Sequence, residues 1–376
     1  MAGSASPLST SPTSSSTSTT AAPPTSTTAS VPSTTAATTT TSRVSPTSLA
    51  PTTAPATTGA TTTALTPPAE LPLPATVAAF DGLAAGNLAV SLSVWRDGAP
   101  VLQRASGSRV DGEPLTTDTP MVIASVSKLV TALTVARLVQ TGILALDERV
   151  PWADLGIPHD PGWDDVAVRE LLAHTSGMPV ARSSWLDLPG SCATPLAGAL
   201  SAPPLPDRGT WRYSNGNYCA LGLLIEHVTG EPLDAAARRL IFDPAGVSGP
   251  HLTTDGHQPT DGPYAKDITR FDRLGGAGTW MASTDDLAAM LRSVSDADRA
   301  TLAWPGVIVD QYGWGHTGTV DGAKACAWLL EEDRTIVVAV VAGNRQATGG
   351  AVCDIVVPAV AADLGIWAGA PVRSPP

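Results

Sequence analysis

The feature that most constrains this chain is residues 123–128, which read Ile-Ala-Ser-Val-Ser-Lys, followed by an apolar segment that ends at Gln140. Apart from Arg137 and Gln140, that segment lacks strongly polar side chains. A helix that is apolar on almost every side lies inside a large domain rather than on its surface. A glycine two residues past the segment is typical of a helix stop. The pattern therefore predicts a buried helix with Ser125 and Lys128 at its start.

Ser125 and Lys128 form a Ser-x-x-Lys motif, and their spacing puts them on one face of the first helical turn. A serine hydroxyl is a weak nucleophile until a base takes its proton. Burial at a helix start lowers the pKa of a lysine toward the range that a base needs. The chain has 22 basic residues, only three of them lysines, and arginine cannot act as a base. The motif indicates a catalytic serine, and the alternative is a solvated lysine near a helix start.

Residues 1–72 differ sharply in composition from the rest of the 376-residue chain. They are mostly Ser, Thr, Pro and Ala, and Arg43 is the only charged residue before Glu70. Such a segment has little to bury, so we expect a disordered stalk, similar in composition to O-glycosylated or wall-spanning stalks. The remaining part, residues 73–370, is long enough for one large domain or two interleaved ones.

Charge and hydropathy exclude some partners and indicate a location. The formal net charge of −12 argues against a nucleic-acid partner. No apolar run is long enough to span a membrane. No signal peptide is visible, and we expect that a natural N-terminus, such as that of a lipid-anchored bacterial lipoprotein, has been removed. This favours an extracytoplasmic protein, secreted or anchored in the cell envelope. The alternative is a cytoplasmic protein with a tail.

The four cysteines also bear on location. They lack the spacing of a zinc site, so we expect no metal and no cofactor. An even count in an exported protein suggests disulfides, of which three pairings are possible. We favour the two pairs that are closest along the chain, and the alternative is four buried free thiols. The favoured pairs are Cys192–Cys219 and Cys326–Cys353.

Hydrophobic periodicity predicts strands at both ends of the domain and helices between them. The predicted strands are residues 89–95, 100–107, 324–330 and 335–342, and the predicted helices are 74–83, 166–174, 218–229, 233–240, 284–291 and 353–364. The order predicts an α+β fold with an antiparallel sheet built from both chain ends and flanked by helices. We place the sheet part at about 73–120 and 275–370, and an all-helical subdomain at about 121–274.

Three motifs follow one another along the chain: Ser125-x-x-Lys128, Tyr213-Ser214-Asn215 and His316-Thr317-Gly318. In that order they resemble the serine β-lactamase-like and penicillin-binding family over roughly residues 75–365. Tyrosine in the second motif resembles the class C branch. Histidine in the third resembles secreted actinomycete D-alanyl-D-alanine carboxypeptidases. The resemblance implies the β-lactamase/DD-peptidase fold and hydrolysis through an acyl-enzyme.

The resemblance also implies a role for each matching position. Ser125 would attack a carbonyl, and Lys128 and Tyr213 would pass its proton toward the leaving group. His316 would complete the catalytic set, and the backbone N–H groups of Ser125 and Thr319 would form the oxyanion hole.

Substrate binding is implied for three further residues. Asn215 would hold the substrate amide. The strand edge that includes Gly318 would dock an extended substrate. Thr317, like Thr319, would reach a carboxylate through its hydroxyl.

The chain departs from the carboxypeptidase pattern in one respect. Such enzymes have an arginine ahead of the third motif that binds the substrate carboxylate, but residues 301–315 contain no Arg or Lys. Arg270, Arg273 or Arg345 are candidate replacements. His316 could instead act as a carboxylate switch, because a histidine with an ordinary pKa gains its charge as pH falls through about 6.5.

Three functions therefore remain open at this point. The first is a D-alanyl-D-alanine carboxypeptidase that acts on peptidoglycan stem peptides and binds β-lactams as inhibitors. The second is an esterase or D-amino-acid amidase of the same fold that acts on a small acyl substrate. The third is a catalytically silent penicillin-binding or cell-wall-binding protein.

Each candidate residue also has an ordinary structural interpretation. Tyr213 could be a core tyrosine, Asn215 could form a turn, and His316 could end a hairpin. We expect His174 to cap or pack rather than to react. Three tryptophans could line a cleft or fill the core: Trp211, Trp280 and Trp314.

Overall fold

The computed structural model describes residues 72–180, 185–186, 190–302, 308–330 and 335–366. The predicted stalk lies outside these residues except for residue 72, so it stays a prediction. Among the residues described, no helix is both long and apolar enough to cross a bilayer.

The described helices range from three to sixteen residues in length. They are α1 (Pro74–Ala84), α2 (Ser127–Gln140), α3 (Val168–Leu172), α4 (Ala193–Leu200), α5 (Asn215–Thr229), α6 (Leu233–Ala237), α7 (Asp243–Ala245), α8 (Thr284–Arg292), α9 (Asp296–Leu302) and α10 (Gly349–Leu364). Additional 3₁₀ turns include Ala124–Val126, which leads into α2, and Thr269–Ala277.

The strands form two antiparallel sheets. They are β1 (Ala89–Arg96), β2 (Ala99–Ser106), β3 (Met121–Val122), β4 (His251–Leu252), β5 (Trp280–Ala282), β6 (Ile308–Val309), β7 (Gly313–Val320), β8 (Ala323–Leu330) and β9 (Thr335–Ala342). The six-stranded sheet has the order β2-β1-β9-β8-β7-β6, and the small one has the order β3-β5-β4.

The six-stranded sheet joins the two ends of the domain, as the sequence predicts. Strand β1 pairs with β9 over seven residues, from Ala89 opposite Ala342 to Trp95 opposite Ile336. Strand β9 is Thr335 followed by seven residues of Val, Ile and Ala, and all eight are buried, because helices cover both sheet faces. The α+β prediction is therefore confirmed.

Each face of the large sheet has its own hydrophobic core. On one face α1 and α10 pack against the sheet through residues such as Phe80, Val356 and Val360. On the other face α2 lies at the centre of the larger core, with eleven of its residues buried from Ser127 to Leu138. The prediction of a buried helix after Ser125 is confirmed.

Both predicted disulfides are present. Cys192 bonds to Cys219, with Cα atoms 5.9 Å apart, and links the start of α4 to α5. Cys326 bonds to Cys353, with Cα atoms 5.2 Å apart, and links β8 to α10. The alternative of four free thiols is wrong.

Several predicted boundaries are corrected by the structure. The described part of 121–274 is not wholly helical, because β3 and β4 pair with β5 in the small sheet. Helix α3 is shorter than 166–174, since His174 has φ +56° and cannot continue a helix. Helix α5 begins at Asn215 instead of residue 218, because the Ser214 side chain caps it.

Two further helices differ from their predicted bounds. Helix α6 passes into a π turn, Arg238–Phe242, and α10 begins four residues before the predicted residue 353.

Candidate active site

The segment that presents Ser125 departs from ordinary backbone geometry. Ala124 has φ +48°, a conformation that costs a residue with a Cβ on the order of 1–3 kcal/mol. The neighbouring Ile123 N–H donates to Trp280 O over 3.4 Å, which fixes this segment to β5. Ser125 then begins the approach to α2 and lines a cleft.

Lys128 lies one turn further on and has no exposed surface. Its Nζ lies 3.2 Å from Ser125 Oγ, 2.9 Å from Asn215 Oδ1 and 2.7 Å from the carbonyl of Ala277. Burial lowers the pKa of Lys128, although contacts with Tyr213 act in the opposite direction. A neutral amine would donate to Asn215 and Ala277 and keep its lone pair for the Ser125 proton. The geometry thus equips Lys128 to act as a base.

Tyr213 reaches the same oxygen from the other side. Its O–H donates to Ser125 Oγ over 2.8 Å. Lys128 Nζ lies 5.0 Å from the centre of the Tyr213 ring. Ser125 Oγ therefore contacts both a phenol and an amine, the two groups that the sequence predicts for proton transfer.

Asn215 is the first residue of α5, and a local cap holds it in place. The Ser214 hydroxyl accepts from Gly216 N–H and donates to the carbonyl of Pro179. Because Asn215 Oδ1 accepts from Lys128, the amide is oriented with Nδ2 as the group that it can offer to a substrate. Asn215 also lines the cleft.

Strand β7 brings the third motif against the segment that carries Ser125. A Cβ on Gly318 would lie 2.2 Å from the carbonyl oxygen of Ile123, so only glycine permits this approach. On the opposite side Thr319 Oγ1 accepts from the N–H of Gly349, the first residue of α10. Thr317 and Thr319 both line the cleft.

Among the described residues, much of β7 has no strand paired with its cleft side. Strand β6 pairs with it only at Gly315 and Trp314. From His316 onward, no further strand of the described ranges pairs with that edge.

His316 is buried, with 4 % of its surface exposed. Its Nδ1 lies 2.7 Å from the carbonyl oxygen of Thr317, so Nδ1 carries the ring proton. Burial, followed by the positive charge of Lys128, lowers the pKa of His316 to about 3. The expectation that His316 gains charge near pH 6.5 is therefore wrong, because it remains neutral at any pH well above 3.

His174 is held in a single tautomer by its neighbours. Ser176 donates to Asn217 Oδ1 over 2.6 Å, which turns Asn217 Nδ2 toward His174 Nδ1 at 3.0 Å. Ser214 N–H also points at Nδ1, over 3.3 Å. Nδ1 is therefore an acceptor, and the proton of the neutral ring lies on Nε2, a buried atom without a hydrogen-bond partner among the described residues.

Sequence reasoning assigned His174 a packing role and missed its place in the cleft. The His174 ring lies 4.7 Å from the Tyr213 ring, and burial lowers its pKa to about 3, with smaller contributions from Lys128 and His316. The only sequence signal is the Gly177 and Pro179 stop after the preceding helix, which does not reveal the positive φ of His174.

The motifs meet in a cleft of about 430 Å³. Its described lining comprises Ser125, Leu172, Ala173, His174, Trp211, Tyr213, Asn215, Tyr218, Ile308, His316, Thr317 and Thr319. None of these is Asp, Glu, Arg or Lys. Trp211 lines the cleft, but Trp280 and Trp314 belong to the core.

The suggested replacement arginines do not line the described part of this cleft. Arg273 instead lines a separate cavity beside the Cys192–Cys219 disulfide. Within the described ranges, no group of three or more His, Cys, Asp or Glu side chains could hold a metal ion.

Comparison with known proteins agrees with this geometry. Residues 76–361 match the family model described as Beta-lactamase. Esterase EstB of Burkholderia gladioli is 34 % identical over 175 residues, which cover 41 % of this chain and 44 % of that protein. Penicillin-binding protein 4 of Amycolatopsis lactamdurans is 33 % identical over 168 residues, 42 % of each chain. The chain thus matches less than half the length of these curated relatives.

A solved structure extends the likeness to the fold. The D-amino acid amidase of Ochrobactrum anthropi SV3 superposes with a TM-score of 0.65 and 23 % identity, over 77 % of this chain and 99 % of that one. At this identity the likeness concerns the fold alone. The family match spans most of the chain and includes all three motifs, so this chain belongs to the beta-lactamase family.

Proposed function

We propose that this protein is a serine hydrolase that works through an acyl-enzyme on Ser125. The observation that carries the proposal is the position of Ser125 Oγ, 2.8 Å from the Tyr213 hydroxyl and 3.2 Å from Lys128 Nζ. A hydroxyl in this setting has a proton donor and a proton acceptor within reach. These contacts argue against a catalytically silent protein.

The proposed reaction has two steps. Ser125 Oγ attacks the substrate carbonyl carbon while its proton passes to neutral Lys128. The carbon–leaving-group bond then breaks, and Tyr213 or Lys128 returns a proton to the departing alcohol or amine. Water then attacks the carbonyl carbon of the acyl-enzyme and gives a proton to the same base. The bond to Ser125 Oγ breaks, Ser125 regains its proton, and the acid is released. The developing oxyanion would be held by the N–H groups of Ser125 and Thr319, which the Gly318–Ile123 contact supports.

The electrostatics of the cleft support an uncharged substrate near the bond that is cleaved. His316 and His174 are both neutral at physiological pH, and the described lining contains no charged side chain. A substrate carboxylate would lose its hydration against the described lining without a charged partner from that lining. We therefore place an esterase or amidase activity first.

A D-alanyl-D-alanine carboxypeptidase on peptidoglycan stem peptides is the second candidate. The edge of β7 supports it, since within the described residues that edge is unpaired from His316 onward and could pair with an extended peptide backbone. The similarity to a penicillin-binding protein supports acylation by β-lactams. The two disulfides support an extracytoplasmic location, whether secreted or lipid-anchored in the envelope.

Labelling with a fluorescent penicillin and with a p-nitrophenyl ester tests the nucleophile. Ser125→Ala should abolish label and turnover. Ser127→Ala removes a neighbouring buried hydroxyl, which accepts from Trp280 N–H, and should keep both. Label or turnover that persists in Ser125→Ala would overturn the proposal.

A matched pair of peptides separates the two candidate activities. An acyl-D-Ala-D-Ala peptide and its C-terminal carboxamide differ only in the terminal charge. If the site is neutral, kcat/KM for the carboxamide should equal or exceed kcat/KM for the acid. A preference of about tenfold or more for the acid would favour the carboxypeptidase, since a charged hydrogen bond contributes about 1.5–3 kcal/mol.

A further inference from the structure

The cleft has an apolar rim that the proposed chemistry does not use. Trp211 lines the cleft with 66 % of its surface exposed, and Ile308 lines it with 40 % exposed. Few large apolar side chains are this exposed among the described residues, and Trp211 is the one tryptophan in that group. Water contact with so much apolar surface is unfavourable unless a ligand covers it.

The rim is continuous with the reacting groups. The Trp211 ring lies 6.5 Å from the Tyr213 ring and 6.4 Å from the His174 ring, all measured between centroids. Ile308 faces the cleft from β6, opposite Gly315 and thus one residue before His316. A group held at this rim would therefore lie beside Tyr213, whose hydroxyl contacts Ser125.

The rest of the described lining favours the same chemistry. Ala173, which is half-buried, adds apolar surface, and the polar groups are hydroxyls, one amide and two neutral imidazoles. Sites for small molecules commonly combine an apolar wall with a few polar groups that orient the ligand. A charged group would meet no oppositely charged partner in the described lining.

We infer that the site takes an uncharged ester or amide that places an apolar group, from its acyl or its leaving part, against Trp211 and Ile308. The inference rests on the proposed function and names the substrate class for that same site. Each methylene buried at the rim would raise kcat/KM by at most about fourfold, which corresponds to about 0.8 kcal/mol.

Two ester series test the inference and identify the part that binds. The acyl series is p-nitrophenyl acetate, butyrate and hexanoate. The alcohol series is methyl, butyl and hexyl acetate, whose hydrolysis is measured by the release of acetic acid. We expect kcat/KM of the full-length protein to rise about tenfold for each two methylenes in at least one series. The rising series shows which part of the substrate contacts the rim.

Neighbouring residues of β6 provide a matched control. Ile308→Ala and Trp211→Ala should each flatten the chain-length dependence, and Trp211→Phe should retain part of it. Val309→Ala removes a side chain of nearly equal exposure, 42 %, that does not line the cleft, and it should leave the dependence unchanged.

Two results would overturn the inference. If hydrolysis depends on Ser125 but both series are flat, or Val309→Ala flattens the dependence as much as Ile308→Ala does, the rim does not bind substrate and the inference alone fails. If no ester is hydrolysed in a Ser125-dependent manner and no penicillin label appears, the proposed function fails and the inference fails with it.

Discussion

Lys128 has no exposed surface, and its pKa is lowered by burial. Only its neutral form can accept the Ser125 proton. The rate of acylation should therefore fall as pH drops through this lowered pKa, because the amine becomes protonated. Arginine would keep a charge at any working pH, so Lys128→Arg should lose activity by several orders of magnitude while retaining a cation at that position.

His316 gives a pH prediction that differs from the one that an ordinary histidine would give. Because its pKa is about 3, its charge does not change between pH 5 and 8. The ratio of kcat/KM for a D-Ala-D-Ala peptide and a neutral ester should therefore be flat over that range. His316→Lys should raise the ratio about tenfold by adding a cation. A wild-type ratio that rises as pH falls through about 6.5 would contradict the neutral assignment.

His174 gives a prediction about stability. Asparagine tolerates φ +56° and keeps an oxygen acceptor near the position of Nδ1, whereas alanine loses the acceptor and is strained at positive φ. Urea unfolding should show a loss of about 1 kcal/mol or less for His174→Asn and about 2–4 kcal/mol for His174→Ala. Equal losses would show that neither the tautomer lock nor the backbone conformation contributes.

At the scale of elements, β7 is positioned by the close contact of Gly318 with Ile123 and by α10. Gly318→Ala would place a methyl group 2.2 Å from a backbone oxygen, so the Ser125 segment or β7 must shift. We expect kcat/KM to fall by at least about tenfold, since small misplacements of reacting groups are costly. Gly82→Ala in α1, where nothing lies within 4 Å, is the control and should leave kcat/KM unchanged. Unchanged activity in Gly318→Ala would contradict this role of the strand.

The sequence predicts those elements whose signal is local. Alternating or uniformly apolar runs identify β1, β8 and β9, and the Ser283 cap identifies the start of α8. The early ends of α3 and α6 are not predictable in this way, because they depend on a positive φ at His174 and on a π turn. The two-residue strands β3 and β4 exist only through their pairing with β5.

In the site, too, local sequence motifs are predictable and features that depend on distant residues are not. Ser125, Lys128, Tyr213 and Asn215 could be chosen from motif order, and the structure brings them within hydrogen-bond distance of one another. The neutrality of His316 could not be predicted, because it depends on burial by residues far away in sequence.

At the scale of the whole molecule, the two disulfides allow a matched test of stability. Each closes a loop with the same sequence separation, 27 residues. The chain-entropy model then assigns both the same contribution, about 3.5 kcal/mol. Urea unfolding of Cys192→Ser/Cys219→Ser and Cys326→Ser/Cys353→Ser should show similar losses. A pair whose removal leaves stability unchanged would contradict the entropic account for that loop.

The central claim is a covalent acyl group on Ser125, and mass spectrometry of the protein quenched in acid during ester turnover tests it most directly. We predict that the protein gains the mass of the acyl group, that the modified peptide contains Ser125, and that Ser125→Ala gains nothing. Wild-type protein that turns over substrate without added mass, or that carries the acyl group on another residue, would contradict the claim.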